Sequence, residues 1–452
     1  MKRFIASLFL FFTGFALIFA GGGAQSGGGA KKTLVYYTWD NGGQTYDIKQ
    51  NLIDDWEAAN PGVTVERNYV SYGEYHVKLN AMVAANATPD VFQQNQVNEW
   101  GDQGMLEDLK PLYQQAGLDP DKLYPKSLTY TGGGHLWGIG TAVNPGMGVL
   151  YYNKKLFREA GIPFPPENAT TPWPWQQFAE AAKKLTKDSK GRTPNDPGFS
   201  YEDVVQWGTM MPTSSLWWMA LLYTTGNAVA NPDGTGFGMN NADSIRVIQS
   251  IADLSLKDRS APSTAMTSSD IFGSAPTMLM NDQLAMVFGG NFEYSAYTEE
   301  NYEVGLANFP TFSSKTSNAP WTNGVVLKKG ASAEAFDLLV SVCGSEQWAA
   351  SAKKRGYILP NGLPPTPVTA ANPSLNDGIT NSFSLAMMKL QAGIMGDPNT
   401  KQSEEMYLKD FRNIMDSIIT PEFDLVFMGE KTAAQAMRDL ASNTQGKFQG
   451  RY

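Results

Sequence analysis

Aromatic, carboxylate and amide side chains lie close together at two places in the N-terminal third of the sequence. Trp39 and Asp40 precede two glycines, with Gln44 just beyond them, and a second amide-rich stretch contains Gln94 and Asn95. Flat aromatic rings cover C–H surfaces, whereas carboxylates and amides form hydrogen bonds with hydroxyl groups. We therefore expect these five residues to contact a polar ligand in a cleft.

Alternating strands and helices position these two groups. Strands are predicted at 33–38, 63–67 and from Pro89, and helices at 48–56 and 75–85. Such alternation predicts βαβ units and a parallel sheet covered on both faces. In open sheets of this type, ligands bind beyond the carboxyl ends of the strands, where both groups fall.

Extended and helical segments follow along the chain. We expect an extended crossing at 136–143, a strand at 149–152 and a helix that Asn153 caps. A helix is predicted at 175–185, a second extended crossing at 304–309 and a further helix at 333–342. The C-terminal third, from about Glu346, has a mostly helical pattern.

The composition excludes several functional classes. The 452 residues include 35 Lys and Arg against 44 Asp and Glu, a net charge of −9, without a basic cluster. Nucleic acid is therefore not an expected partner. One cysteine, Cys343, excludes internal disulfides and cysteine-based zinc sites, and two histidines, His76 and His135, lack metal-ligand spacing. We expect no metal, no cofactor and structural roles for these three residues.

The N-terminus predicts export. Lys2 and Arg3 precede an apolar run that ends at Ala20, so residues 1–20 have the pattern of a signal peptide rather than a membrane anchor. Residues 21–32 are a glycine-rich linker. It is similar to a lipoprotein tether but has Gly22 near the position of the lipid-bearing cysteine, which leaves anchoring open. We expect a protein secreted across the cytoplasmic membrane, either periplasmic or on its outer face.

Short motifs follow one another in a recognisable order between residues 33 and 360. They are Thr88 to Val91, Gly104 to Leu109, Leu136 to Gly140, Val149 to Ile162, Trp175 to Phe178, Asp282 to Gly290, Asn323 to Val326, Ser345 to Trp348 and Gly356 to Pro360. In this order and spacing the chain resembles the extracellular sugar-binding proteins of ABC importers, the group that includes maltose-binding protein.

The resemblance implies an α/β, two-lobed periplasmic-binding-protein fold. Each lobe would be a mainly parallel sheet flanked by helices, with the ligand cleft at the hinge. Lobe 1 would comprise 33–140 and 308–345, lobe 2 would comprise 147–305 and 346–452, and 141–146 and 306–312 would be the hinge crossings. It also implies closure of the hinge over the ligand, as in other hinged binding proteins.

The resemblance adds candidate ligand contacts to the five residues named above. Ser214, Trp217 and Trp218 occupy a segment that faces the sugar in the family, and Phe292, after Asn291, stands where the family often has Trp. Further candidates near the crossings and the last motif complete the set: Asn144, Trp321, Asn323 and Tyr357.

The expected function is that of a non-enzymatic receptor that delivers a carbohydrate to ABC permease subunits. The low charge of the cleft segments favours a neutral sugar, although Asp40 would equally pair with a cation. Two alternatives remain: a secreted glycoside hydrolase or lyase with paired carboxylates, and a sugar-sensing receptor without a permease. We expect a monomer.

Overall fold

Two β-sheets covered by helices organise the chain into two lobes. The structure is a computed structural model that describes residues 31–39, 44–124, 129–140, 147–268, 273–297, 303–313, 323–355, 369, 372–377, 382–397 and 400–452. Lobe 1 is the part built on a six-stranded sheet, and lobe 2 is the part built on a three-stranded sheet.

The elements follow one another in this order. The strands are β1 Lys32–Trp39, β2 Val63–Val70, β3 Val91–Gln94, β4 Thr129–Gly132, β5 His135–Gly140, β6 Gly148–Asn153, β7 Lys187–Asp188, β8 Val204–Gln206, β9 Met286–Gly290, β10 Val304–Ala307 and β11 Gly324–Leu327. The α-helices are α1 Gln44–Ala59, α2 Tyr72–Ala84, α3 Val97–Asp102, α4 Leu109–Gln115, α5 Pro120–Leu123, α6 Lys154–Glu159, α7 Trp175–Leu185, α8 Ser215–Tyr223, α9 Ala242–Leu256, α10 Thr264–Thr267, α11 Ala275–Met280, α12 Ala333–Cys343, α13 Ser345–Arg355, α14 Ser382–Gly396, α15 Phe411–Ile414, α16 Thr420–Phe427 and α17 Ala433–Asn443. Short 3₁₀ helices cover Tyr201–Asp203, Asn291–Tyr297, Pro373–Asn376 and Glu404–Met406, and a π-helical turn covers Met415–Ile419.

The sheet of lobe 1 has the strand order β2-β1-β3-β11-β5-β4. β1 is parallel to β2 and β3, since α1 and α2 each return the chain to the edge from which the preceding strand began. The predicted βαβ units are confirmed. α1 buries Leu52 and Trp56, and the Trp56 Nε1 donates a 2.7 Å hydrogen bond to Asp337 on α12.

The expectation of a mainly parallel sheet holds in lobe 1, where four of the six strands run in one direction, but not in the three-stranded sheet of lobe 2. In lobe 2, β6 is antiparallel to both β9 and β10, and in lobe 1 β11 is antiparallel to β3 and β5. The reason lies in the crossings between lobes. β6 leads away from the first crossing, whereas β10 leads back towards lobe 1, so the two strands run in opposite directions.

The lobe boundaries also differ from those expected. Residues 304–307 form β10 beside β6, and Phe312 packs in the core of lobe 2, so 306–312 is part of lobe 2. α13 packs against α1, and its Trp348 is buried in the core of lobe 1, so 346–355 belongs to lobe 1. Extended sequence alone does not separate a crossing from an edge strand. The other crossing, 141–146, lies outside the described residues.

The N-terminal residues 1–30, which hold the predicted signal peptide and most of the linker, also lie outside the described residues. None of the helices in the described part of the chain combines the length and the apolar character that spanning a membrane requires. Cys343, for which the sequence predicted a structural role, is fully buried in lobe 1.

Candidate functional site

A cavity of about 210 Å³ lies between the lobes, and we call it the interlobe cavity. Lobe 1 lines it with Tyr72, Asn95, Tyr130 and Asn323. Lobe 2 lines it with the start of α8 (Ser214, Ser215, Leu216 and Met219). A C-terminal segment that packs against both lobes contributes Ser403, Glu405, Met406, Phe411, Arg412, Met415 and Asp416.

Strand ends bring the lobe 1 wall together. β2 ends at Val70, two residues before Tyr72, and β3 ends at Gln94, immediately before Asn95. β11 is antiparallel to β3 and begins opposite Gln94, so Asn323 comes to the same edge of the sheet. The interlobe cavity therefore lies beyond the carboxyl ends of the parallel strands, where the sequence predicted a ligand.

A buried glutamine orients Asn95 towards Tyr72. The Gln94 Oε1 accepts hydrogen bonds from the backbone N–H groups of Asn95 (2.8 Å) and Gln96 (3.1 Å), which fixes the turn after β3. The Asn95 Nδ2 then donates a 3.2 Å hydrogen bond to the Tyr72 hydroxyl. The Asn95 Oδ1 has no hydrogen-bond partner among the described residues. Gln94 is only 1% exposed, so its side chain positions the site rather than facing the cavity.

An aromatic cluster supports the Tyr72 ring from behind. Trp39 meets Tyr72 and Tyr75 edge to face, with ring centroids 5.4 Å and 4.6 Å apart, and His76 lies 5.8 Å from Tyr72. Burial raises the pKa of Tyr75, whose hydroxyl donates a 2.7 Å hydrogen bond to the Gln93 carbonyl. The Tyr72 side chain remains 43% exposed, so the cluster holds a flat ring at the cavity while Trp39 lies behind it.

The two tryptophans of α8 have different surroundings. Trp218 is 1% exposed and meets Phe423 edge to face at 5.1 Å in the core of lobe 2. Its ring has no surface left for a ligand, contrary to the sequence expectation, because α8 is apolar on all sides and this face points inward. Trp217 is partly buried and meets Phe309 at 5.8 Å, and Ser214 lines the cavity.

Arg412 enters the cavity from lobe 2 between two carboxylates. Its Nη1 donates a 2.9 Å hydrogen bond to Glu405, and its Nε lies 3.4 Å from an Asp416 carboxylate oxygen. Burial disfavours the charged guanidinium, but Glu405, Tyr72 and Asp416 outweigh burial and raise the pKa of Arg412. Across the cavity, burial and this guanidinium together lower the pKa of His76.

The remaining predicted contacts are dispersed. Asn291 is fully buried, and its Oδ1 accepts a 3.1 Å hydrogen bond from the Met147 N–H, which ties the end of β9 to the start of β6. Its neighbour Phe292 is 46% exposed but does not appear in the cavity wall described above. Asp40, Asn144, Trp321, Tyr357 and the side chain of Gln44 lie outside the described residues.

Of the residues predicted from the sequence, Asn95, Ser214 and Asn323 line the interlobe cavity, whereas Tyr72 and Arg412 line it but were not predicted. Tyr72 had a usable signal, because it follows the end of a parallel strand by two residues. Arg412 had none: its spacing from Asp416 is that of an ordinary exposed helical ion pair. Only the tertiary structure brings it to a cavity whose opposite wall includes Tyr72 and Asn95, both more than 300 residues away in sequence.

No group of three or more His, Cys, Asp or Glu side chains suited to holding a metal ion occurs within the described ranges. The cavity instead presents amides, hydroxyls, aromatic rings of which that of Tyr72 is the most exposed, and a guanidinium paired with carboxylates. These groups can hold a hydroxylated ligand by hydrogen bonds and ring contact.

Comparison of the sequence with known families gives a match over most of the chain. Residues 39–355 match the family described as bacterial extracellular solute-binding protein. The sn-glycerol-3-phosphate-binding periplasmic protein UgpB of Escherichia coli is 32% identical over 145 residues, 30% of this chain and 31% of that protein. A protein of Brucella abortus named as a binding protein is 25% identical over 232 residues. The matched region spans about half the length of the Brucella relative.

Solved structures share the fold over nearly the whole chain. An ABC substrate-binding protein of Listeria monocytogenes in complex with cycloalternan superposes with a TM-score of 0.71 and 21% identity, over 91% of this chain and 98% of that one. The GacH receptor of Streptomyces glaucescens, studied unliganded and with acarbose, has a TM-score of 0.71 and 16% identity, over 92% and 98%. These similarities establish the two-lobed fold.

Proposed function

This chain belongs to the bacterial extracellular solute-binding proteins, a family of binding proteins rather than enzymes, and we propose that it captures a sugar or oligosaccharide for an ABC importer. The ligand would enter the interlobe cavity, and the loaded protein would deliver it to the permease subunits. Because this family consists of binding proteins, membership of it argues against the alternative of a glycoside hydrolase or lyase.

One observation carries the carbohydrate assignment. The half-exposed ring of Tyr72 stands beside the amides of Asn95 and Asn323 on one wall of the cavity. A sugar offers C–H faces that pack on an aromatic ring and hydroxyl groups that pair with amides. The Asn95 Oδ1 is buried and lacks a partner among the described residues, so a ligand hydroxyl that reached it would satisfy an unpaired acceptor.

The comparisons support the same class of ligand. The Listeria protein was solved with cycloalternan and the Streptomyces receptor with acarbose, and another neighbour, from Thermotoga lettingae, was solved with α-D-tagatose. These are hydroxyl-rich molecules of different sizes, so they favour a carbohydrate for this chain without selecting one.

Hinge closure is the mechanism that suits a cavity with walls from both lobes. A ligand that contacts Asn95 on lobe 1 and Ser214 on lobe 2 stabilises the arrangement in which both walls meet it. Asp40, Gln44, Asn144, Trp321 and Tyr357 remain proposed contacts on the basis of the sequence. The protein would act as a monomer that binds one ligand.

A phosphorylated ligand is the second candidate. The Escherichia coli relative is named for sn-glycerol 3-phosphate, and Arg412 is a cation in the cavity wall, although it is paired there with the carboxylates of Glu405 and Asp416. A sugar receptor that signals to a partner other than a permease would share the binding step. Co-purification with permease subunits separates that role from transport.

A ligand panel tests the proposal. The purified protein would be heated with mono- and oligosaccharides, with sn-glycerol 3-phosphate, and with amino acids and polyamines as controls. A ligand at 100 times its Kd raises the free energy of unfolding by about 2.7 kcal/mol, which shifts the midpoint measurably. A shift with one group of sugars, recovered unchanged after binding, supports the proposal. A shift with an amino acid or a polyamine alone contradicts it.

A further inference from the structure

Three charged side chains line the interlobe cavity within the described part of the chain: Glu405, Arg412 and Asp416. The Arg412 guanidinium contacts both carboxylates, at 2.9 Å and 3.4 Å. One cation therefore faces two anions, and the three groups together carry a net charge of −1. We call them the charge cluster.

The cluster is held from both lobes. Glu405 lies between Glu404, which is 1% exposed and anchored in lobe 2, and Met406, which is 3% exposed in the core of lobe 1. Phe411, beside Arg412, is buried in the core of lobe 2. Buried neighbours thus hold the backbone on both sides of Glu405 and on one side of Arg412, which keeps the two side chains close to each other.

The geometry leaves Arg412 able to donate hydrogen bonds but not to act as a free cation. Its side chain is 42% exposed, and its pairing with Glu405 uses Nη1. The N–H groups of Arg412 can donate hydrogen bonds to the oxygen of a sugar hydroxyl. Such a hydrogen bond does not require a net positive charge in the cavity. A phosphate dianion would meet the two carboxylates at the same place, and their repulsion opposes the attraction of the single guanidinium.

We propose that the charge cluster is a specificity determinant that admits uncharged carbohydrates and rejects phosphorylated ligands. The inference rests on the proposed carbohydrate function and refines its substrate class. Glu405 and Asp416 act through Arg412: they compensate its charge and orient it, so that it serves as a hydrogen-bond donor rather than as a phosphate site.

The test neutralises the two carboxylates. Glu405→Gln, Asp416→Asn and the double variant keep side-chain size and leave Arg412 uncompensated. Calorimetric titrations would use inorganic phosphate, sn-glycerol 3-phosphate, glucose 6-phosphate and the neutral sugars that bind the wild type. Glu430→Gln combined with Asp121→Asn is the matched control, because both acids are exposed and neither is among the residues that line the cavity.

The expected result is selective. The wild type and the control show no measurable binding of phosphate compounds, so their Kd values lie above the range of the titration. The double variant binds these compounds with a Kd at least tenfold below that limit. Added salt weakens this binding, because the attraction is ionic. Adding Arg412→Met to the double variant abolishes that gain. In the double variant, whose fold is checked by circular dichroism, the affinity for phosphate compounds rises relative to the affinity for the neutral sugar.

Two outcomes overturn the inference, and a third separates it from the proposed function. Wild-type protein that binds a sugar phosphate as tightly as the neutral sugar contradicts it. So does a folded double variant that gains no phosphate binding. A wild type that binds no carbohydrate refutes the proposed function instead, while the titration with inorganic phosphate still reports whether the carboxylates suppress anion binding.

Discussion

The Asn98 side-chain amide in lobe 1 donates a 2.8 Å hydrogen bond to the carbonyl oxygen of Met406, which is 308 residues away. The Met406 side chain is buried with the aromatic core of lobe 1. Two residues earlier, the Glu404 carboxylate accepts hydrogen bonds from the N–H groups of Val229 (2.7 Å) and Ala230 (2.8 Å) in lobe 2. Three consecutive residues therefore join the two cores beside the cavity.

Met406→Ala tests this joint. Truncating a buried methionine costs about 2–5 kcal/mol, and here the loss falls on a contact between lobes. We expect a lower midpoint of thermal unfolding and a larger radius of gyration in small-angle X-ray scattering of the ligand-free protein. Met428→Ala, at a 46% exposed methionine, is the control. An unchanged radius of gyration would mean that other contacts hold the lobes together.

The buried carboxylate of Asp188 should make the stability of the folded protein depend on pH. This carboxylate accepts hydrogen bonds from Arg192 and from three backbone N–H groups, those of Lys190, Arg192 and Ser200. Burial alone would raise the pKa of Asp188, but these hydrogen bonds outweigh burial and hold it well below its usual value.

A pKa lowered by folding stabilises the protein above the unfolded-state pKa of about 4, and that stabilisation is lost as the pH falls towards the folded-state value. Asp188→Asn should therefore lower the midpoint of thermal unfolding at pH 7, and its difference from the wild type should narrow below about pH 4. Asp243→Asn, which removes an exposed pairing with Arg246, should change little at either pH. A difference that persists undiminished in acid would contradict this origin.

Sequence patterns were sufficient where the structure is local. The first three strands of lobe 1 and their helices follow each other directly, so period and spacing predicted their order and the parallel direction of the strands, although the observed helices and strands extend beyond most of the predicted limits. The helix at 175–185 was predicted at its observed limits, and Asn153 caps α6 through a 3.0 Å hydrogen bond from the Leu156 N–H. These features depend on contacts within a few turns of chain.

Features that depend on distant segments could not be predicted in this way. β11 lies between β3 and β5, although it follows β3 by more than 200 residues, and nothing in its four residues specifies that neighbour. The same holds for the site. Asn95 could be inferred from its position after a strand. The place of Arg412 in the cavity wall could not, because it depends on how the C-terminal segment packs between the two lobes.

Two substitutions at Tyr72 distinguish the contribution of its ring to ligand binding from that of its hydroxyl group. Tyr72→Ala removes the ring from the cavity wall and should weaken carbohydrate binding at least tenfold in calorimetry. Tyr72→Phe keeps the ring and loses only the hydrogen bond from Asn95, so it should weaken binding less. Val77→Ala, on the same helix at a 73% exposed position, is the control and should bind like the wild type. Equal affinities for all three variants would place the ligand elsewhere.

Cys343 offers a reporter for the unfolding of lobe 1. It is the single cysteine of the chain and is fully buried, and burial raises the pKa of its thiol. Thiolate is the reactive form, so we expect no reaction with a thiol reagent in the native protein and complete reaction in denaturant. In a urea titration, labelling of Cys343 should begin over the same range of urea concentrations in which the circular dichroism signal is lost. Rapid labelling under native conditions would show that the core of lobe 1 opens.

Substitutions at the two tryptophans of α8 should affect stability more than ligand affinity, whereas substitutions at Tyr72 should mainly affect affinity. Trp218 is enclosed in the core of lobe 2, so Trp218→Ala should lower the free energy of unfolding by about 3–5 kcal/mol, measured by urea denaturation. The gentler Trp218→Phe keeps an aromatic contact with Phe423 and should remain folded, with a Kd for sugar within threefold of the wild type. Trp217 is only partly buried at the start of the same helix, so Trp217→Ala should cost less stability. A large loss of affinity in folded Trp218→Phe would mean that this ring reaches the ligand in the closed protein, contrary to its burial here.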